Sequence, residues 1–143
     1  MRKEIACVAF LILSFCCSVT TPAITQEKSP LWIAFAVTIY DGHLRTGMGF
    51  RGTVEQANAR AMQVCQESGY PGCKLVGTFK ECGFMATYTN QARRDQGWAV
   101  ASTRNEAIGN CTARSHGVAC AAAGVCDGKG WWPDGRSEPL PRD

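Results

Sequence analysis

The chain has 143 residues, 45% of them apolar and 19% charged, with 15 basic against 12 acidic side chains and a formal charge of +3. That length and composition suit one domain with one modest core, and exclude collagen-like, coiled-coil and wholly disordered chains. The charge is too small to imply a polyanion partner, so nucleic acid is not expected.

Arg2 and Lys3 open the chain, and Ile5 to Cys17 is a continuous apolar run. Such a run has the length of a signal-peptide core and falls short of the roughly 20 apolar residues of a membrane span. Small residues follow, and Thr21 with Ala23 fits a small-x-small cleavage site. Residues 1–23 are therefore expected to be a signal peptide and 24–30 a short linker; an uncleaved anchor is the alternative. Phe15 before Cys16 argues against a lipoprotein. Cleavage would remove Cys7, Cys16 and Cys17 and leave six cysteines: Cys65, Cys73, Cys82, Cys111, Cys120 and Cys126. An even count in an exported chain reads as a disulfide framework. The expected location is the periplasm or the extracellular space, with no membrane contact after cleavage.

Ile33, Phe35, Val37 and Ile39 alternate with smaller or more polar residues, which predicts a strand with one buried face. Asp41-Gly42 is a two-residue hairpin signal, because both residues tolerate positive φ. His43 to Phe50 returns as a second strand. Thr53 with Gln56 forms a capping box that opens a helix. Val54, Ala57, Ala61, Val64 and Cys65 fall on one face of it. Gly69 and Pro71 end the helix, and Cys73 to Lys80 is a third strand.

The pattern then repeats at a constant offset of 50: Ala36 falls on Ala86, Gly47 on Gly97, Thr53 on Thr103 and Ala57 on Ala107. Cys82 to Thr89 is a strand, Asn90 to Gln96 a longer polar turn, and Gly97 to Ala101 a strand. Thr103 with Glu106 is a second capping box. Ala107, Ile108 and Cys111 mark the buried face of the second helix, which Gly109 weakens by about 1 kcal/mol. Gly117 closes it, and Val118 to Cys126 is the last strand. The expected fold is α+β: two ββαβ repeats sharing one antiparallel sheet, covered by two helices and stapled by disulfides. Residues 128–143, rich in proline, glycine and charge, are expected to be a flexible tail.

Several of these features resemble the secreted bacterial family named domain of unknown function 4189. They are W-I-A-F-A at Trp32 to Ala36, the small-residue helix ending in Cys65, Cys73-Lys74-Leu75-Val76, Cys82-Gly83, and the Gly97-Trp98 strand before a second helix. The resemblance covers residues 31–127 and implies an exported small domain, often alone in its chain, with no agreed enzymatic activity. The second helix departs from the family pattern: its cysteine is Cys111, one turn before Ser115.

Six cysteines allow fifteen pairings. The element order favours Cys65–Cys73 and Cys111–Cys120, each stapling a helix end to the next strand, which leaves Cys82–Cys126. A zinc site is disfavoured because no close Cys-x-x-Cys pair exists.

Chemistry is sparse. His43 and His116 have no ligand-type neighbour at helical spacing, and no Gly-x-Ser-x-Gly elbow or phosphate loop occurs. The acidic residues are scattered, so no catalytic residue, metal or cofactor is expected. Arg93 and Arg94 in the polar turn offer two guanidinium forks for carboxylate or phosphate. Trp98 is expected in the core. Trp131 and Trp132 either pack back onto the sheet or mark a partner site. The function expected is therefore an exported, non-catalytic binding domain with another protein as partner, of inhibitor, immunity or effector type. A small glycan hydrolase, which two acids in one cleft would support, and a structural envelope protein are the alternatives.

Overall fold

The computed structural model describes residues 29–140. The expected signal peptide and most of the linker lie outside them. The elements run β1 (Trp32–Tyr40), β2 (His43–Arg51), α1 (Val54–Gln66), β3 (Lys74–Lys80), β4 (Cys82–Asn90), β5 (Asp95–Ala101), α2 (Arg104–Thr112), β6 (Ala121–Cys126), β7 (Lys129–Trp131) and β8 (Ser137–Pro139). The fold is α+β, with two ββαβ repeats. β4 occupies the positions of β1 shifted by fifty residues, without slippage at either end.

Each repeat keeps a sheet of its own. β2 and β3 flank β1 in one, in the order β2-β1-β3; β5 and β6 flank β4 in the other, which β7 and β8 extend to β5-β4-β6-β7-β8. All the pairings are antiparallel. The shared sheet expected from the sequence is thus two sheets stacked face to face. The reason lies in β1, which is buried continuously from Ile33 to Thr38 on both faces. Ile33, Phe35 and Val37 pack with Met85 and Val125 between the sheets. Ala34 and Ala36 pack on the opposite face, against Ala57, Ala61 and Cys65 of α1. One helix-covered sheet would leave the larger set in water, whereas stacking buries both.

Small residues let the helices sit close. A Cβ at Gly47 or Gly49 of β2 would collide with the α1 backbone, at the Ala61 and Ala57 carbonyls respectively. α2 covers the second sheet in the same way, with Ala107 and Cys111 against Phe84, Ala86, Ala99 and Ala122. Both helices begin on threonine caps. Thr53 Oγ1 accepts from the Gln56 amide at 3.2 Å, and Thr103 Oγ1 from the Glu106 amide at 3.3 Å. Trp98 is half-buried in the core between the sheets.

Three disulfides join the described cysteines as Cys65–Cys73, Cys82–Cys126 and Cys111–Cys120. The first and third tie the last turn of a helix to the chain leading into the next strand. The second joins residues directly opposite each other on β4 and β6.

The segment after Cys126 differs from the flexible tail expected. Asp127 and Gly128 take positive φ, 51° and 70°, and turn the chain into β7 against β6. A second turn, closed by the Trp132 amide on the Arg136 carbonyl at 2.9 Å, returns it as β8. Trp131 lies opposite Gly124 and packs on the α2 side of the sheet. Arg104 Nη2, at the start of α2, donates to the Pro133 carbonyl at 3.3 Å and ties the hairpin down.

Candidate functional site: a cleft between two hairpin tips

Because the halves repeat, their first hairpins reach the same end of the sandwich. Asp41 and Gly42, with φ of 48° and 70°, turn β1 into β2. Gln91 to Arg94 turn β4 into β5, with the Arg94 amide on the Gln91 carbonyl at 3.3 Å and Arg94 itself at φ 50°. The polar turn expected over Asn90 to Gln96 is shorter than that: Asn90 and Asp95 face each other as the last pair of the ladder. The tips are tied together by the Leu44 amide, which donates to Gln96 Oε1 at 2.8 Å across 52 residues of sequence.

Between the tips lies an open cleft of about 670 Å³, within the usual size range of small-ligand sites. On its floor the facing sheet surfaces change character. Met85 of β4 belongs to the apolar core, but Thr87 and Thr89, next on the same face, line the cleft, as does Thr46 of β2. A packed interior does not accommodate free hydroxyls without partners, so this end of the sandwich is built for water or a polar ligand.

The rim carries both signs of charge. Arg45, Arg94 and His43 line it together with Asp41 and Asp95. The ion pairs within 4.0 Å among the described residues are Arg60–Glu67 and Arg136–Asp134, both outside the cleft, so the two cleft arginines keep their forks free of carboxylates. Arg45 is held instead over the Tyr70 ring, 5.2 Å from its centroid, and Tyr70 in turn packs on Tyr40 at 5.9 Å. Such a contact orients a guanidinium through its face, and of its hydrogen-bonding edge only Nη1 is engaged, donating to the Leu44 carbonyl at 3.5 Å. Asp95 Oδ2 accepts from the Tyr88 hydroxyl at 3.1 Å. Burial, and then that carboxylate, hold the Tyr88 phenol above its ordinary pKa of 10.0.

Of the four binding candidates from the sequence, the structure brings only Arg94 to this cleft. Arg93 is exposed on the same turn, its amide donating to Asn90 Oδ1 at 3.2 Å. Trp131 and Trp132 belong to the opposite end of the second sheet. Trp131 pairs with Gly124 and so lies level with Phe84 near the start of β4, whereas the cleft lies at the far end of β4, from Thr87 on. Trp131 is half-buried against the α2 core cluster, and Trp132 is 48% exposed. The acids that look scattered in the sequence are not all scattered in space, since Asp41 and Asp95 share the cleft. His43 joins them there, while His116 is exposed beyond the end of α2 at φ 51°. Sequence reasoning missed Arg45, Thr46, Thr87 and Gln96. Their alternation with core residues was visible, but nothing in one strand says where the core ends.

Among the described residues, the one cluster of metal-ligand types is Cys82, Cys126 and Asp127. Its two sulfurs are bonded to each other and are not thiolate ligands. No helix of the described residues is long and apolar enough to cross a membrane.

Fold and cleft together define a class: a duplicated, disulfide-stapled α+β sandwich with a polar mouth at one end. The chain belongs to the family described as Domain of unknown function (DUF4189), whose model matches residues 32–126, nearly the whole duplicated unit. No curated protein and no solved structure matches the chain.

Proposed function

We propose that this protein is an exported, non-catalytic recognition domain that binds another protein through the hairpin-tip cleft. The observation that carries the reading is the convergence of two hairpin tips, one from each repeat, on a polar cleft that holds Arg94 and is tied together by Leu44 and Gln96. Loops held by a rigid scaffold are the usual carriers of recognition. Export is supported by three disulfides in a domain of this size, which an oxidising compartment maintains. The apolar run behind Arg2 and Lys3 supports it as well.

The test is capture of partners on immobilised chain lacking residues 1–23, from periplasm and from culture medium, followed by calorimetry. Arg93→Ala with Arg94→Ala should leave stability within about 0.5 kcal/mol, as exposed substitutions usually do. The same double change should weaken binding of the captured partner by more than about 1 kcal/mol. Unchanged affinity would move the contact surface off the β4–β5 turn.

One observation favours a second reading. Asp41 and Asp95 line one cleft, as the carboxylates of a glycan hydrolase would. Release of reducing ends from cell-wall glycan, abolished by Asp95→Asn, would establish it. No release by the native chain removes it.

A further inference from the structure

β2 is an outer strand of its sheet, so every second residue turns its amide and carbonyl away from β1. The Leu44 amide is one of these, since it donates to Gln96 rather than to β1. Leu44 pairs with Ile39, and Thr46 pairs with Val37 two residues along the same ladder. The amide and carbonyl of Thr46 therefore also point off the edge, and Thr46 lines the cleft. The Gln96 side-chain amide sits where the backbone of a further strand would sit. Beside this edge stand Arg45, oriented by Tyr70, and Arg94, neither of them ion-paired.

We propose that the cleft binds an extended peptide segment bearing a carboxylate side chain, added as a strand along the outer edge of β2. The inference rests on the reading of the cleft as a recognition surface and names the chemistry it recognises. Main-chain pairing at Thr46 supplies affinity that does not depend on sequence, and an arginine on either side of the edge supplies the choice of an acidic side chain: Arg45 on the α1 face of β2, or Arg94 from the neighbouring hairpin tip. The other lining groups narrow the ligand. Asp41 and Asp95 oppose a dense polyanion, and the threonine floor opposes an apolar ligand. An uncharged glycan would suit the hydroxyls but would leave the edge of β2 and both arginines unused.

The test uses the 15N-labelled chain without residues 1–23, titrated with capped hexapeptides alternating valine with glutamate, glutamine or lysine, and with chitotetraose. The glutamate peptide should shift the Thr46 and Leu44 amides and the Gln96 side-chain amide. It should bind at least tenfold tighter than the glutamine peptide. Arg45→Gln with Arg94→Gln should erase that preference while the rest of the spectrum stays unchanged. Thr46→Pro, a substitution edge strands tolerate, should abolish binding of all three peptides. Equal binding of the glutamine or lysine peptide would overturn the carboxylate choice and leave the cleft a peptide site. Shifts from chitotetraose but from no peptide would overturn the peptide and favour the hydrolase. No shift from any probe at millimolar concentration would overturn the proposal outright. The captured partner and the Arg93, Arg94 pair would still judge the broader reading.

Discussion

Gly49 shows how much one missing side chain decides. It lies opposite Ala34 in the ladder, and a Cβ there would meet the Ala61 amide nitrogen at 2.5 Å and Arg60 Cβ at 2.9 Å. Backbone cannot rotate out of the way as a flexible side chain can. Gly49→Ala should therefore cost about 3 kcal/mol, the upper range for overpacking, in a denaturant titration. Gly52, with open space around its Cβ position, is the control. Tyr88 carries a different kind of prediction. Its folded pKa is raised, by burial first and by Asp95 second, so the folded state favours the neutral phenol. The stability this contributes is fully present below the ordinary value of 10.0 and is lost as pH rises through the folded pKa. Tyr88→Phe should therefore flatten the fall in stability above pH 10, measured by melts across the alkaline range. An alkaline limb unchanged in the mutant would place the effect on other groups.

Both helices stand on the same local device. Each cap threonine has extended backbone, φ −128° at Thr53 and −121° at Thr103, and accepts from the amide three residues on. Thr53→Ala and Thr103→Ala should each destabilise the fold by about 1 kcal/mol, the usual cost of such a cap. Parent-like melting of both variants would show that the helices are held by their packed faces alone. The helices differ at their other ends. α1 runs thirteen residues and α2 nine. Cys111 takes the repeat position of Ala61, and Ser115 that of Cys65. Ser115 stays fully buried and donates its hydroxyl to the Val118 carbonyl at 2.5 Å, closing the turn where the first repeat places a disulfide.

Across the whole molecule, the disulfides differ in what they constrain. Cys65–Cys73 and Cys111–Cys120 close separations of 8 and 9 residues, and Cys82–Cys126 closes 44. In the chain-entropy account, removing the long link as a Ser/Ser pair should cost about 4 kcal/mol, against about 2.5 kcal/mol for either short one. Urea midpoints of the three double variants would rank them. If the long link ranked lowest, the β4–β6 ladder would already hold those ends together in the unfolded chain. The sheets themselves meet through Ile33, Phe35 and Val37 on one side and Met85 and Val125 on the other. Gly83 permits the close approach, since a Cβ there would press on Phe35 and Phe79 at 3.1 Å.

The order of the elements, the duplication, the threonine caps and the cysteine partners were legible in the residues. Each depends on neighbours a few positions apart or on a repeat that preserves spacing, except Cys82–Cys126, which spans 44 residues and follows only once the two local pairs are assigned. Alternation in β1 marked Ile33, Phe35 and Val37 as a buried face, but it could not say what covers that face. One sheet with two helices and two stacked sheets leave the same mark on a single strand. The hairpin after Cys126 was hidden for a related reason. Asp127-Gly128 is the same turn dipeptide as Asp41-Gly42, yet three-residue strands are too short to show a period, and the prolines and charges around them read as a tail. The cleft belongs wholly to the tertiary structure. Arg45, Thr46, Arg94 and Gln96 become one site only because two repeats fifty residues apart stack with their hairpin tips at the same end, and no local pattern encodes that meeting.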